Sequence, residues 1–195
     1  MKIGLYFGSF NPVHNGHLII AQHIINETDL GQVWFIVSPQ NPFKQQKQLL
    51  NEYDRLHLVN LAIQKNAALK AVDIEFRLPK PSYTITTLTY LQEKYPQHSF
   101  SIIMGSDSLQ NLDKWKNSEQ IMTNFPIYVY TRPAFPLTDH KIKELHSVQA
   151  PLLEISATHI RELISKGKSI RFLVPDIVAD EIELAGYYKS KNPSK

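Results

Sequence analysis

His14 and His17 stand three residues apart in the stretch Gly8-Ser9-Phe10-Asn11-Pro12-Val13-His14-Asn15-Gly16-His17. At that spacing two imidazoles face the same side of a helix's first turn and can meet one bound anion. Gly8 and Gly16 let the backbone come close to a ligand without a Cβ in the way. A helix opening near Gly16 aims free N–H groups and the positive end of its dipole at the turn, which suits phosphate. A second group of polar residues lies far along the chain, where Ser156, Thr158 and Arg161 sit at another helix opening. All three can reach an anion there, and Arg161 adds a planar, permanently charged fork for phosphate oxygens. Each stretch also has a plain reading: a turn with two incidental histidines, and an ordinary capped helix.

Other candidates lie between them. Gly105-Ser106-Asp107 follows an apolar run, where a carboxylate can hold a ribose hydroxyl or a metal-bound water, or simply cap a helix. Trp115 is either core or a flat surface for stacking a base. Lys44 and Lys47 are either phosphate contacts or solvated loop residues.

These residues need a frame to position them. Residues 2–7 are short, apolar and β-prone, and residues 18–25 carry a helical apolar face of Leu18, Ala21 and Ile25 widened by Ile20 and Ile24. Residues 33–37 form a continuous apolar strand, as expected when both sheet faces are covered. Two prolines make 38–47 a loop. Asn51 caps a helix running to about residue 65, with Arg55 in its first turn and Leu56, Val59 and Ile63 along one stripe. Val72, Ile74 and Phe76 alternate with Asp73 and Glu75, which predicts a half-exposed strand.

After Pro79 and Pro81, a helix starts at Ser82 or Tyr83 and carries Ile85, Leu88 and Leu91. Residues 100–104 and 127–130 are further strands. Pro133, Pro136 and Asp139 mark a loop, 141–146 a short helix, and 152–155 a last short strand. Ser156 then caps a helix with Ile160, Leu163 and Ile164 inward and Gly167 at its C-terminal stop. A final helix runs from about 177 to 187, and the basic tail 189–195 is expected to fray. Strands and helices alternate, so the expected fold is α/β: a Rossmann-like doubly wound parallel sheet with helices on both faces. No repeat or linker divides the chain, so one domain spanning 1–195 is expected.

Composition narrows the classes. The chain has 195 residues, a formal charge of +3 and no cysteine, which excludes disulfides and thiolate metal sites. The mild positive charge fits anionic small molecules and does not mark a nucleic-acid surface. Met1-Lys2 leads straight into a strand, with no signal-peptide pattern and no apolar run long enough to span a bilayer. A cytoplasmic protein with no membrane partner is expected.

Five stretches together resemble one family, the bacterial nicotinate-nucleotide adenylyltransferases: residues 8–17, 42–44, 81–88, 105–115 and 155–161. The first and last are shared with the wider nucleotidyltransferases; Pro81-Ser82-Tyr83-Thr84 and the Gly-x-Asp-Ser-Leu…Trp segment single out this member. The resemblance implies that ATP is a cosubstrate, with Mg²⁺ bound to it, and that no metal site is built by the protein itself. It implies that nicotinate mononucleotide is adenylylated to nicotinate adenine dinucleotide, with release of pyrophosphate. It places Gly8, Ser9 and Phe10 at the adenylate, His14 and His17 on the triphosphate, and Ser156, Thr158 and Arg161 on the β- and γ-phosphates. Gly105 and Asp107 would lie near ribose, Lys44 over the phosphates, and Tyr83, Thr84 and Trp115 around the pyridine ring.

The sequence departs from the family pattern at Phe43, often histidine, at Thr86, usually aspartate, and at Ala157, commonly serine. The Thr86 change removes a charge near the pyridine site. Alternatives are a related transferase with another acceptor, such as nicotinamide mononucleotide or phosphopantetheine, or a non-catalytic nucleotide-binding module. Assembly into a homo-oligomer is left open.

Overall fold

The computed structural model describes residues 1–39, 49–132, 134–137, 142–151 and 153–190. Its frame is a six-stranded parallel sheet in the order β3-β2-β1-β4-β5-β6. The strands are β1 Lys2–Gly8, β2 Gln32–Val37, β3 Leu69–Val72, β4 Ser99–Gly105, β5 Ile127–Tyr130 and β6 Leu145–Val148. The helices are α1 Asn15–Glu27, α2 Glu52–Ile63, α3 Thr84–Lys94, α4 Ser106–Leu109, α5 Ser118–Asn124, α6 Ala157–Ser165 and α7 Asp176–Ala185. Short 3-10 turns fill Ile74–Arg77 and Leu112–Lys114.

Alternation along each strand splits the core in two. From β2, Val33, Phe35 and Val37 face a layer with Ala21 and Ile24 of α1, Leu58 and Val59 of α2, Ile160 of α6 and Val178 of α7. Trp34 and Ile36 face the other way, onto Leu88 and Leu91 of α3 and Ile121 of α5. Both faces are therefore covered, which is why these strands read as unbroken apolar runs. Each such side chain contributes about 1.5–3 kcal/mol on burial.

The chain steps outward from β1 to β3 and then returns to lay β4 beside β1, with Tyr6 opposite Ile103. A crevice opens beyond the carboxyl ends of β1 and β4, where this class of sheet binds its ligands.

Three sequence expectations need correction. The strand expected across 72–76 stops at Val72, and Ile74–Arg77 tightens into a 3-10 turn in which the Phe76 N–H donates to the Asp73 carbonyl at 2.9 Å. The turn puts Ile74 and Glu75 both inside, which the half-exposed strand expected there cannot do. The short helix expected at 141–146 and the strand expected at 152–155 are also not found among the described residues; the last strand is β6. β6 is an edge strand. Among the described residues it pairs only with β5, and three of its four side chains are at least partly exposed, so Leu145-His146-Ser147-Val148 carries little apolar signal. Residue 141, residue 152 and the tail residues 191–195 lie outside the described residues.

Candidate active site

β1 ends at Gly8, where a Cβ would stand 2.8 Å from Cζ of Phe10. Phe10 takes a left-handed backbone conformation, φ 45°, a strained choice for a bulky residue. Its ring is buried against Tyr6, Phe35 and His17, with centroids 5.8, 5.3 and 5.1 Å away. That packing holds the loop that delivers His14 to the N-cap of α1.

The His14 N–H donates to Nδ1 of His17 at 3.3 Å. Nδ1 is thereby an acceptor, which assigns the proton of a neutral His17 to Nε2. The two rings stack, with centroids 3.7 Å apart and planes 25° from parallel. Burial, with a smaller push from Arg132, lowers the His14 pKa to about 4. Burial, then His14, then Arg132 hold His17 well below the usual imidazole range. At neutral pH the ligand-free pair is thus uncharged, and fixed positive charge comes from guanidinium groups nearby. Gly16 lies under the His14 ring, so a Cβ there would stand 3.1 Å from Nδ1. The helix opening is partly used by the protein: the Asn15 N–H donates to the Leu173 carbonyl at 2.9 Å.

From the other end of the chain, α6 brings Arg161 to the same loop. Its Nη1 donates to the Asn11 carbonyl at 2.7 Å and its Nη2 to Thr158 Oγ1 at 3.3 Å. Ser156 is the N-cap of α6, accepting from the His159 N–H at 3.2 Å.

On the other side of the β1 loop lies a cavity of about 430 Å³. Gly8, Ser9, Gly105 and Asp107 line its near side, and Tyr83, Thr84 and Trp115 its far side. Gly105 is needed where it stands, because a Cβ would collide with Asp107 Oδ1 and meet the Tyr130 ring at 3.1 Å. Asp107 Oδ1 faces Arg132 Nε at 3.4 Å, an ion pair without hydrogen-bond geometry. Arg132 also reaches the Tyr130 hydroxyl at 3.5 Å, and that hydroxyl lies 3.4 Å from the Tyr6 hydroxyl.

Glu75, 2% exposed, also lines the cavity and accepts from Ser82 Oγ at 2.8 Å and Thr87 Oγ1 at 2.9 Å. Burial pushes its carboxyl up, and the hydroxyls of Ser82, Ser38 and Thr87 pull it part of the way back.

Three buried side-chain atoms around this crevice have no hydrogen-bond partner among the described residues: His14 Nδ1, Asp107 Oδ1 and Arg161 Nε. Buried polar atoms are rarely left so, and their clustering here marks a place for a polar ligand. Among the described residues no group of three His, Cys, Asp or Glu side chains converges as a metal cage.

The sequence candidates thus fall into two adjoining sets. Gly8, Ser9, Gly105, Asp107, Tyr83, Thr84 and Trp115 share the cavity. His14, His17, Gly16, Ser156, Thr158 and Arg161 form a second set outside its lining, joined to it through Tyr6, whose ring is 6.0 Å from that of His17. Phe10 supplies backbone at the loop while its ring belongs to the core. Lys44 and Lys47 lie outside the described residues.

The sequence reading missed Arg132, Glu75 and Arg55. Arg132 sits two residues past the end of β5, a position that marks the crevice rim. Glu75 was hidden by its expected place on the exposed face of a strand. Arg55 is fully buried and donates to four main-chain carbonyls, those of Leu50, Ser9, Ser38 and Pro39, at 2.6–3.1 Å; nothing in a helical stripe signals that.

A doubly wound sheet with stacked histidines at one helix opening and an arginine from a second defines the site as that of a nucleotidyltransferase. The family model described as "Cytidylyltransferase-like" matches residues 5–163. A Cytophaga hutchinsonii protein named "Probable nicotinate-nucleotide adenylyltransferase" is 54% identical over 97% of this chain and 100% of its own. A Flavobacterium psychrophilum protein of the same name is 50% identical over 97% and 100%. The chain belongs to the nicotinate-nucleotide adenylyltransferases within the cytidylyltransferase-like family. In fold it is similar to the "Plasmodium falciparum nicotinic acid mononucleotide adenylyltransferase complexed with NaAD", with TM-score 0.81, 19% identity, and 96% of this chain and 97% of that one covered.

Proposed function

We propose that this chain transfers the adenylyl group of ATP to nicotinate mononucleotide, a step of NAD biosynthesis. An ionised phosphate oxygen of the mononucleotide attacks the α-phosphorus, the bond from that phosphorus to the bridging oxygen breaks, and its electron pair leaves on pyrophosphate. No covalent enzyme intermediate is needed, because the attacking oxygen is already anionic.

One observation carries the reading: Arg161 donates to the Asn11 carbonyl across 150 residues of sequence. That bond joins α6 to the loop before α1, near a cavity with an aromatic wall, and so supports a single cleft shared by both helix openings. A triphosphate on the polar side and a pyridine mononucleotide in the cavity would then meet at Gly8 and Ser9.

The chemical difficulty is that two polyanions must touch. Arg161 and Arg132 supply fixed charge, and the Nε2–H of His17 supplies a donor to an oxygen of the triphosphate. In the empty site the histidines are neutral, and a bound polyanion raises their pKa values back towards the ordinary imidazole range. ATP brought as its Mg²⁺ complex would carry less charge into the site, leaving Arg161 and Arg132 to offset the remainder. Gly105 and Asp107 lie where a ribose would, and Tyr83, Thr84 and Trp115 around the pyridine. The reading uses one domain, small-molecule partners and a cytoplasmic location.

Pyrophosphate release tests it, with nicotinate mononucleotide, nicotinamide mononucleotide and phosphopantetheine offered in turn with ATP or CTP. Release with ATP and the nicotinate acceptor is expected. Release only with another pair would reassign the substrate, and binding of ATP without release would reduce the protein to a binding module.

A further inference from the structure

We infer that the Lys116 side chain is a specificity-determining residue whose ammonium favours a pyridine ring bearing a carboxylate over one bearing a carboxamide; this rests on the adenylyl-transfer reading above. Lys116 follows Trp115 at the cavity mouth, and its Nζ lies 4.5 Å from the centroid of the Tyr83 ring. Tyr83 is the N-cap of α3, and both residues line the cavity. The ammonium therefore stands over one aromatic wall of the cavity, Tyr83, while Trp115 lines the same cavity.

The other charges around the cavity are committed. Asp107 faces Arg132. Glu75 is buried under two hydroxyls. Lys114 Nζ donates to Asn111 Oδ1 at 2.9 Å. Among the described residues Lys116 has no carboxylate within ion-pair distance, and the contact recorded for it is the face of an aromatic ring. A ring offers a cation only its quadrupole, whereas a carboxylate beside Tyr83 offers a full opposite charge. A carboxamide offers a dipole. The opening of α3 has no acidic residue in its first turn and adds field of the same sign.

Thr86 is exposed and outside the cavity lining, so the charged side chain available to a ring substituent on this side is that of Lys116. Because Lys116 is itself exposed, the effect is moderate and screened by salt.

The test compares kcat/KM for nicotinate and nicotinamide mononucleotide in wild type, Lys116→Gln and Lys116→Arg, with ATP saturating. Lys116→Gln is expected to lower the acid-to-amide ratio about threefold, a change of about 0.6 kcal/mol, mainly through KM for the acid. Lys116→Arg keeps the ratio. The wild-type ratio falls as salt rises from about 0.02 to about 0.5 M, and that of Lys116→Gln stays flat. An unchanged ratio in Lys116→Gln, or equal losses with both acceptors, overturns the inference. Calorimetric binding of the two mononucleotides reads the same ratio without turnover. Absence of pyrophosphate with either acceptor would therefore strike the reaction assigned above while the charge preference is still judged from binding.

Discussion

Replacing Arg55 by methionine removes the donor set that holds two loops of the crevice in place. The guanidinium is fully buried and makes four bonds to carbonyl oxygens: Nε to Leu50, Nη1 to Ser9 and to Ser38, Nη2 to Pro39. Bonds from a charged donor are worth about 1.5–3 kcal/mol each, so about 6–12 kcal/mol is lost in gross terms. Water reaches some of the freed carbonyls, and methionine no longer bears the cost of burying a cation, which leaves a net loss of about 3–5 kcal/mol. For a chain of this size that is a fall of about 6–20 °C in the unfolding midpoint.

The Ser9 carbonyl lies 2.6 Å from Nη1, so the loop after β1 also relaxes, and turnover falls along with stability. Arg55→Lys keeps the charge but can satisfy only some of the four carbonyls, and should fall between the two. Urea unfolding with a linear extrapolation measures the loss, and steady-state turnover on the same samples measures the loop. If Arg55→Met shifts stability by less than about 1 kcal/mol, the four bonds do not organise these loops and the reasoning is refuted.

Three further outcomes are expected. His14 has a folded pKa of about 4 against 6.5 for a free imidazole, so between those values the unfolded chain binds more protons. Stability therefore falls as pH drops from about 6.5 towards about 4, by about 3 kcal/mol from this residue, and urea unfolding across that range should show a flatter profile for His14→Gln. His17→Ala should lower kcat about a hundredfold, while KM for nicotinate mononucleotide stays within about threefold; near-normal turnover would remove His17 from the reacting phosphates. Gly105→Ala forces its methyl against Asp107 and Tyr130, and a loss of about 1–3 kcal/mol in unfolding free energy is expected, with weaker ATP binding by calorimetry.

What could be read in the sequence was whatever local pattern decides. The βα unit at residues 2–27 is strand periodicity, a glycine turn and an amphipathic helix in sequence, and the structure has it nearly residue for residue. Asn51 and Ser156 cap their helices with the side-chain bonds that their residue types favour. The failures came where tertiary contacts decide. Residues 74–77 have the alternation of a strand, yet Glu75 is drawn inward by hydroxyls 7 and 12 residues further on, and no window around it contains that information. β6 has too few apolar side chains to announce itself, because an edge strand is held by its backbone bonds to one neighbour.

In the site, residue types at helix openings were visible, but their protonation was not. The low pKa of His14 comes from burial and from an arginine 118 positions away. Arg132 became visible as a candidate only when β5 was seen to end beside β4.

The bond from Arg161 to Asn11 also fixes when the site comes into being. A chain emerging from a ribosome displays the histidine loop early, but the guanidinium that faces it follows 150 residues later. At about 5–20 residues per second, that interval is on the order of ten seconds or more. A nascent chain therefore holds only half of its grip on a nucleotide, and becomes able to spend ATP only once α6 has been made.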